Sequence, residues 1–261
     1  MPEENSVKHD VQAQFGRNAD NYVTSKIHAQ GKDLRKLLDI LNCNGEERVL
    51  DIATGGGHVA NALAPLTQKV VALDLTKEIL KAAERHVLSN GHDNVDFVKG
   101  DAEKLPFPDR TFDIVICRIA AHHFSDITAF IKESYRVMKK EGEFFLIDNV
   151  APEKQEFDDF YNYLEKKRDY SHQRAWKKSE WIKSIEEQSF EINELYRFEK
   201  TFSFSKWCQM MNLSDDIQAF LAEYLLKAES RHKQKFRITE ADGKPKTFQG
   251  EAILIKAVKS F

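Results

Sequence analysis

Apolar positions in the first 150 residues follow two alternating periodicities. Short apolar runs at 48–52, 70–73, 95–98, 112–117 and 143–147 predict five β-strands. Helical spacing of apolar residues predicts helices over 33–41, 77–89 and 127–139, and a further helix follows the glycines after the first strand, through about residue 66. Thr76 is a good N-cap for the 77–89 helix. This alternation favours a parallel sheet with helices on both faces.

The pattern changes after residue 150. Residues 152–180 are rich in aromatic and charged side chains and are expected to be helical. Strand-like segments return at 191–204 and 248–258, with helical patterns between them. The sequence contains no internal repeat and no low-complexity tract, so we expect one α/β domain with elaborations.

Composition and charge narrow the class of protein. The chain has 261 residues, 41% hydrophobic and 31% charged, as in an ordinary globular protein. A net charge of −3 gives no electrostatic reason to expect a nucleic-acid partner. No stretch approaches the roughly 20 apolar residues that span a bilayer, and the N-terminus lacks the apolar run of a secretory signal. The three cysteines are odd in number and far apart, so we expect neither disulfides nor a metal site, and a cytoplasmic location.

The most informative segment joins the first strand to the helix after it. Three glycines, Gly55 to Gly57, allow a tight turn and let a ligand lie against the backbone. The opening of the next helix offers free N–H groups. Asp74 ends the second strand, where a carboxylate can accept hydrogen bonds from both hydroxyls of a ribose, and Asp101 follows the third strand. Because the ends of such strands line one crevice, these residues predict a site for a nucleoside-bearing ligand.

Two kinds of nucleoside ligand fit this segment. Gly55 through Ala60 can be read as G-x-G-x-x-A with Asp74 about 20 residues further on, the dinucleotide pattern. However, Asp51 directly before the turn would repel a pyrophosphate and attract an α-ammonium or sulfonium group. Tyr135 and Lys139 spell the Y-x-x-x-K of a dehydrogenase, but Tyr135 continues a helical apolar face, which favours core packing. An NAD(P)-dependent oxidoreductase is therefore the alternative to a sulfonium-binding protein.

The chain resembles the class I S-adenosylmethionine-dependent methyltransferases, and most closely the branch similar to the ubiquinone and menaquinone biosynthesis C-methyltransferases. The matching segments are the D-x-A-T-G-G-G-H turn at 51–58, Asp74, the G-D-A at 100–102, the L-P-F-P-D-R-T-F-D at 105–113, the A-H-H-F at 121–124 and the M-K-K-E-G-E at 138–143. One departure is Ala53, which stands where many members have the first glycine. The resemblance is strong over residues 45–150 and loose elsewhere.

This resemblance implies the fold and the domain organisation. The implied fold is an α/β, Rossmann-like sheet of seven strands, mostly parallel with an antiparallel last strand, with helices on both faces. Residues 1–44 would form a helical N-terminal lid and 45–150 the core that binds S-adenosylmethionine. Residues 151–261 would supply cap helices on the acceptor side and the last two strands of the same domain.

The resemblance also implies the cofactor contacts. Asp51 and the backbone of 53–57 would hold the methionine part, Asp74 the ribose, and Asp101 with Ala102 the adenine. Tyr22, in the lid, would close over the cofactor. The complete set of cofactor-binding candidates is Tyr22, Asp51, Ala53, Gly55, Gly57, Asp74, Leu75, Asp101, Ala102 and Arg118.

Methyl transfer from a sulfonium is an in-line displacement, so the protein mainly aligns the reactants and excludes water, and a base is optional. His122 and His123, after the fourth strand, are the candidate bases, and Asp148 is a further one. The Asn/Asp-Pro-Pro-Tyr/Phe of enzymes that methylate nucleic-acid amines is missing after the fourth strand, so a small-molecule acceptor is preferred. A non-catalytic adenosylmethionine-binding protein is a third alternative. The sequence does not determine the oligomeric state, and a homodimer is one arrangement that it allows.

Overall fold

The computed structural model describes residues 2–17 and 31–260 and is organised around one sheet. The sheet has the strand order β3-β2-β1-β4-β5-β8-β6, and the short strand β7 pairs with β8. The strands are β1 Arg48–Ile52, β2 Lys69–Asp74, β3 Val95–Lys99, β4 Phe112–Arg118, β5 Met138–Val150, β6 Phe190–Ser203, β7 Thr239–Ala241 and β8 Lys244–Lys259.

Strand direction agrees with the sequence-based expectation. Strands β1 to β5 pair in parallel, whereas β8 is antiparallel to both β5 and β6. The mostly parallel, Rossmann-like sheet with an antiparallel last strand is therefore confirmed. The path has the seven expected strands, and β7 is an additional one. It forms a two-residue hairpin with β8 because Asp242 and Gly243, with φ of 54° and 68°, adopt the left-handed conformation that such a turn requires.

Helices flank this sheet and extend beyond it. They are α1 Pro2–Arg17, α2 Lys32–Ile40, α3 His58–Leu63, α4 Lys77–Ser89, α5 Ile127–Val137, α6 Gln155–Arg168, α7 Lys178–Glu187, α8 Phe204–Gln209, α9 Asp215–Leu226 and α10 Ser230–Lys235. Two short 3-10 turns occur at Ala64–Leu66 and Ala121–His123. Across residues 2–17 and 31–260, no helix is both long and apolar enough to cross a membrane.

Three expectations about local structure need correction. The helix expected to reach residue 139 ends at Val137, because the chain from Met138 onward already belongs to β5. Residues 169–177 of the expected 152–180 helical segment are not helical. Thr76 does precede α4, but its side chain makes no capping hydrogen bond, and among the described residues its buried hydroxyl has no partner.

The core forms on both faces of the sheet because successive strand residues point to opposite sides. Val49 and Leu50 illustrate this: Val49 packs in a cluster with α2 and α3, and Leu50 packs in a cluster with α5 and α7. A third apolar cluster lies among α6, α8 and α9, around Trp207, and includes Phe248 of β8. The carboxyl ends of β1, β2 and β4 meet at one edge of the sheet, beside the glycine turn.

Candidate active site

The glycine turn after β1 is held by the backbone. Thr54 donates its backbone N–H to the carbonyl of Leu73 at 2.9 Å, and Gly57 donates to the carbonyl of Thr54 at 3.0 Å. Gly57 has φ of 75°, and a Cβ there would lie 3.1 Å from the Cβ of Ala83 in α4. Gly57 therefore lets α4 approach the turn closely, which is a packing requirement.

Beside this turn lies the glycine-turn cleft, an open space of about 1040 Å³. Eight of the ten predicted cofactor-binding residues line it, namely Asp51, Ala53, Gly55, Asp74, Leu75, Asp101, Ala102 and Arg118. Gly57 is not among the lining residues. Tyr22 lies outside the described residues, so its predicted role stays a prediction. His58 begins α3 and also lines the cleft.

Two of the lining carboxylates are held in a partly desolvated state. Asp51 is 1% exposed and accepts a hydrogen bond from the Thr54 hydroxyl at 2.6 Å. Burial raises the pKa of Asp51 to about 7. Burial also raises the pKa of Asp74 to about 6, although its carboxylate accepts the backbone N–H groups of Gly55 at 3.1 Å and Thr76 at 2.9 Å. A cation in this cleft would stabilise both carboxylates in the ionised form.

The third carboxylate, Asp101, forms an ion pair with a residue of helix α1. Lys8 forms ion pairs of 2.8 Å with Asp101 and with Glu103. Gln12, one turn further along α1, donates to the carbonyl oxygen of Leu75 at 3.0 Å. Helix α1 therefore lies against the ends of β2 and β3, and its residue Val7 also lines the cleft. Lys8 was not predicted, because a lysine in a mostly polar helix carries no sequence signal of its partner.

At the opposite end of the cleft, Arg118 forms a buried ion pair with Asp33 of α2, at 2.8 Å. Burial alone would raise the pKa of Asp33, but the adjacent guanidinium outweighs it and holds that pKa below its ordinary value. Ile119, the next residue, has φ of 55°. A β-branched residue rarely adopts this left-handed conformation, so the backbone is strained where it borders the cleft.

A second space, the cap cavity, adjoins the cleft and opens to solvent; together with the solvent at its mouth it encloses about 1580 Å³. Ile119 and His123 line both spaces. The walls of the cap cavity come from α2, the Ala121–His123 turn, β6 and the helices after residue 150. Four aromatic residues of the 152–180 segment, Tyr161, Tyr163, Tyr170 and Trp176, do not line it. Glu165, Arg168 and Asp169 from the same segment do.

His122 faces the cap cavity and is bound to a buried carboxylate. Its Nδ1 lies 2.7 Å from Oδ1 of Asp148, and its backbone N–H donates to Oδ2 of Asp148 at 2.8 Å. Asp148 is fully buried. Burial acts to lower the pKa of His122, but the charge of Asp148 and this hydrogen bond raise it above its ordinary value. Asp148 therefore positions His122, and its carboxylate is not available as a base in its own right.

The other two histidines nearby differ from His122. Burial lowers the pKa of His123 to about 4, and burial also lowers the pKa of His172 to about 2. His123 lies near Ser171, with Nδ1 and Oγ 3.3 Å apart. Both imidazoles are neutral at pH 7, and their low pKa makes them weak proton acceptors.

The dehydrogenase-like pair does not form a site. The ring of Tyr135 packs edge-on against Phe190, and Lys259 lies over it at 4.3 Å. Lys139 forms an ion pair with Asp113 at 2.8 Å. Neither Tyr135 nor Lys139 lines the glycine-turn cleft, so the core-packing interpretation of Tyr135 fits the structure.

Comparisons of this chain with known sequences and solved structures identify the family to which it belongs. The model of a family described as "Methyltransferase domain" matches residues 50–146. The uncharacterized methyltransferase YcgJ of Bacillus subtilis is 37% identical over 246 residues, 94% of this chain and 97% of its own length. The demethylmenaquinone methyltransferase of Chlorobaculum tepidum is 35% identical over 108 residues, 41% of this chain and 43% of its own. Among solved structures, a Bacillus halodurans protein described as a methyltransferase matches with a TM-score of 0.87 and 53% identity, over 88% of this chain and 100% of that one.

The Rossmann-like sheet and the carboxylate-lined cleft define a nucleoside-binding enzyme. The chain belongs to the methyltransferase family and is an S-adenosylmethionine-dependent methyltransferase. Such an enzyme implies a small-molecule methyl acceptor. The comparisons support neither the oxidoreductase nor the non-catalytic alternative.

Proposed function

We propose that the glycine-turn cleft holds S-adenosylmethionine and that the cap cavity holds the methyl acceptor. Asp51 and Arg118 would bind the ammonium and carboxylate of the methionine part, Asp74 the ribose, and Asp101 the adenine. The observation that carries this assignment is that the carboxylates of Asp51, Asp74 and Asp101, from three neighbouring strands, line one cleft. Their acceptor oxygens suit hydroxyl, ammonium and exocyclic amine donors.

Bound S-adenosylmethionine supplies an activated methyl group that leaves its sulfonium by in-line displacement. The protein's contribution is then to align the two partners and to keep water out. Helix α1 supports water exclusion, because Lys8 and Gln12 attach it to the adenine end of the cleft. Ile119 and His123, shared by the cleft and the cavity, mark where the two reactants would meet.

His122 is the base that the geometry favours over His123. With Asp148 accepting a hydrogen bond from Nδ1–H, the Nε2 atom of His122 carries the free lone pair. A raised pKa makes this imidazole the stronger proton acceptor of the two. His122 would take the proton that the acceptor loses on methylation, and Asp148 would stabilise the imidazolium that forms.

The acceptor side would be built by residues 151–261, whose helices contribute Glu165, Arg168 and Trp207 to the cap cavity. A small molecule rather than a nucleic acid is supported by the net charge of −3. We also propose a cytoplasmic location, since the three cysteines are all free.

Calorimetric titration with S-adenosylmethionine tests the cofactor assignment. Asp74→Ala and Asp101→Ala should each weaken binding by roughly 1–3 kcal/mol, because each removes charge-assisted hydrogen bonds. Asp96→Ala is the matched control: this carboxylate lies on β3 with its side chain 53% exposed and pairs with Lys69 outside the cleft. Unchanged affinity in both cleft variants would refute the assignment.

A further inference from the structure

Lys200, in the wall of the cap cavity, is a cation whose only hydrogen-bond acceptor among the described residues is neutral. We propose that the cap cavity selects a methyl acceptor carrying an anionic group, a carboxylate or a phosphate, on an apolar body, and that Lys200 binds this group. The inference rests on the proposed function, since it assumes that the cap cavity is the acceptor site.

Lys200 is incompletely paired. Its Nζ donates to Oδ1 of Asn149 at 3.0 Å, which occupies one of three N–H donors. Three carboxylates attract it electrostatically, but each is bonded to another group: Asp33 to Arg118, Asp148 to His122 and Glu165 to Arg168. Burial lowers the pKa of Lys200. An ammonium held this way gains more from a bound anion than a lysine in water would.

Two carboxylates in the wall of the same cavity, Glu165 and Asp169, already have hydrogen-bond donors of their own. Glu165 pairs with Arg168 at 3.1 Å. Asp169 accepts the backbone N–H of Ser171 at 2.9 Å and its hydroxyl at 2.6 Å. Because these carboxylates already accept hydrogen bonds, a ligand amine would interact with them more weakly than a ligand anion would interact with Lys200.

One part of the cavity wall is apolar. Phe202, Trp207, Met210 and Met211 line the cavity, and all but Phe202 come from α8 or the residues directly after it. An aromatic or aliphatic body fits such a wall, and the flexible thioethers of methionine adapt to its shape. The described part of the cavity therefore combines a desolvated, incompletely paired cation with an apolar patch.

The placement also suits methyl transfer. Asn149, which holds Lys200, directly follows Asp148, which holds His122. An acceptor whose anionic group is bound at Lys200 would thus lie in the same cavity as the proposed base. Ile119 and His123 connect that cavity to the cleft.

Binding of matched acidic and neutral probes tests the proposal. The full-length protein, saturated with S-adenosylhomocysteine, would be titrated with 4-hydroxybenzoate and 4-hydroxybenzamide, and with phenyl phosphate and phenol. We expect the wild type to prefer the acid of at least one pair by roughly tenfold or more, the scale of one charge-assisted hydrogen bond. Lys200→Met should abolish this preference. Lys206→Met is the control, because Lys206 is an exposed lysine lining the same cavity.

The outcomes separate this proposal from the one on which it rests. Wild-type protein that does not bind S-adenosylhomocysteine would contradict the proposed function itself. Equal binding of acid and neutral probes, or binding of neither, would overturn the anionic acceptor. A preference that survives Lys200→Met, or that Lys206→Met removes equally, would overturn the assignment to Lys200. A loss of S-adenosylhomocysteine affinity in Lys200→Met would place the lysine on the cofactor and likewise overturn it.

Discussion

Asp51 offers the sharpest test of the cleft's electrostatics, through the replacement Asp51→Asn. Burial raises the pKa of this carboxyl from 3.8 to about 7 on folding. The folded state therefore holds a proton that the unfolded state releases between about pH 4 and pH 7, and the free energy of unfolding falls as pH rises through this window. At 1.36 kcal/mol per pKa unit, the penalty is roughly 4 kcal/mol at pH 8 and roughly 2 kcal/mol at pH 5.

Asparagine at position 51 cannot ionise, so the variant lacks this penalty. Its carbonyl oxygen can still accept the Thr54 hydroxyl, and any misfit of its amide adds an offset that does not depend on pH. The measured quantity is the difference in unfolding free energy, variant minus wild type, from urea titrations at pH 5 and pH 8. We expect this difference to increase by roughly 2–3 kcal/mol between these two pH values.

Asp96→Asn is the control, since its side chain on β3 is 53% exposed. Water and salt screen such a carboxylate, so the wild-type pH dependence should persist. Parallel stability curves for Asp51→Asn and the wild type would refute the argument that burial of Asp51 stores free energy in the cleft. That energy matters for function, because a cation bound beside Asp51 would recover it.

Three further predictions follow from the geometry. Asp148→Asn should lower the pKa of His122, because it removes the charge that raises it. The acid limb of the pH profile for methyl transfer should then move to lower pH, and the plateau rate should fall roughly 10²-fold. An acid limb that does not move would exclude His122 as the base. Gly57→Ala should lower the free energy of unfolding by about 1–3 kcal/mol, because a Cβ would meet Ala83 at 3.1 Å with φ of 75°. Ala53→Gly should change it by under about 1 kcal/mol, since relief of the positive φ of 54° offsets the added chain entropy; urea titration measures both.

Much of the structure around the glycine-turn cleft could be predicted, because the sequence patterns that indicate it extend over only a few residues. The helix expected at 77–89 is Lys77–Ser89, and the strands expected at 48–52 and 95–98 are Arg48–Ile52 and Val95–Lys99. Apolar periodicity sets these elements, and the glycine turn follows from the residues within it. The predicted end of the helix over 127–139 was wrong because strand pairing outweighed the local pattern. Met138 pairs with Phe112 in the sheet and so belongs to β5.

The cap cavity could not be predicted, because its residues are distant in sequence. Lys200 on β6 meets Asn149 on β5, and β8 from the end of the chain lies between these strands. Asp148 looked like a candidate base because it ends a strand, and only the hydrogen bond to His122 gives it the role of a positioning residue. The cofactor contact expected of Gly57 stays a prediction, and its close approach to Ala83 of α4 is a feature that the sequence did not indicate.

The sequence by itself determined the order of strands and helices, the turn of three glycines and the presence of carboxylates at three strand ends, because periodicity and turn chemistry act over a few residues. The tertiary structure decided which of those groups share one cleft, which are desolvated, and which partners they have. Burial and pairing depend on residues brought together from distant parts of the chain, and they set the pKa of Asp51, the orientation of His122 and the incomplete pairing of Lys200.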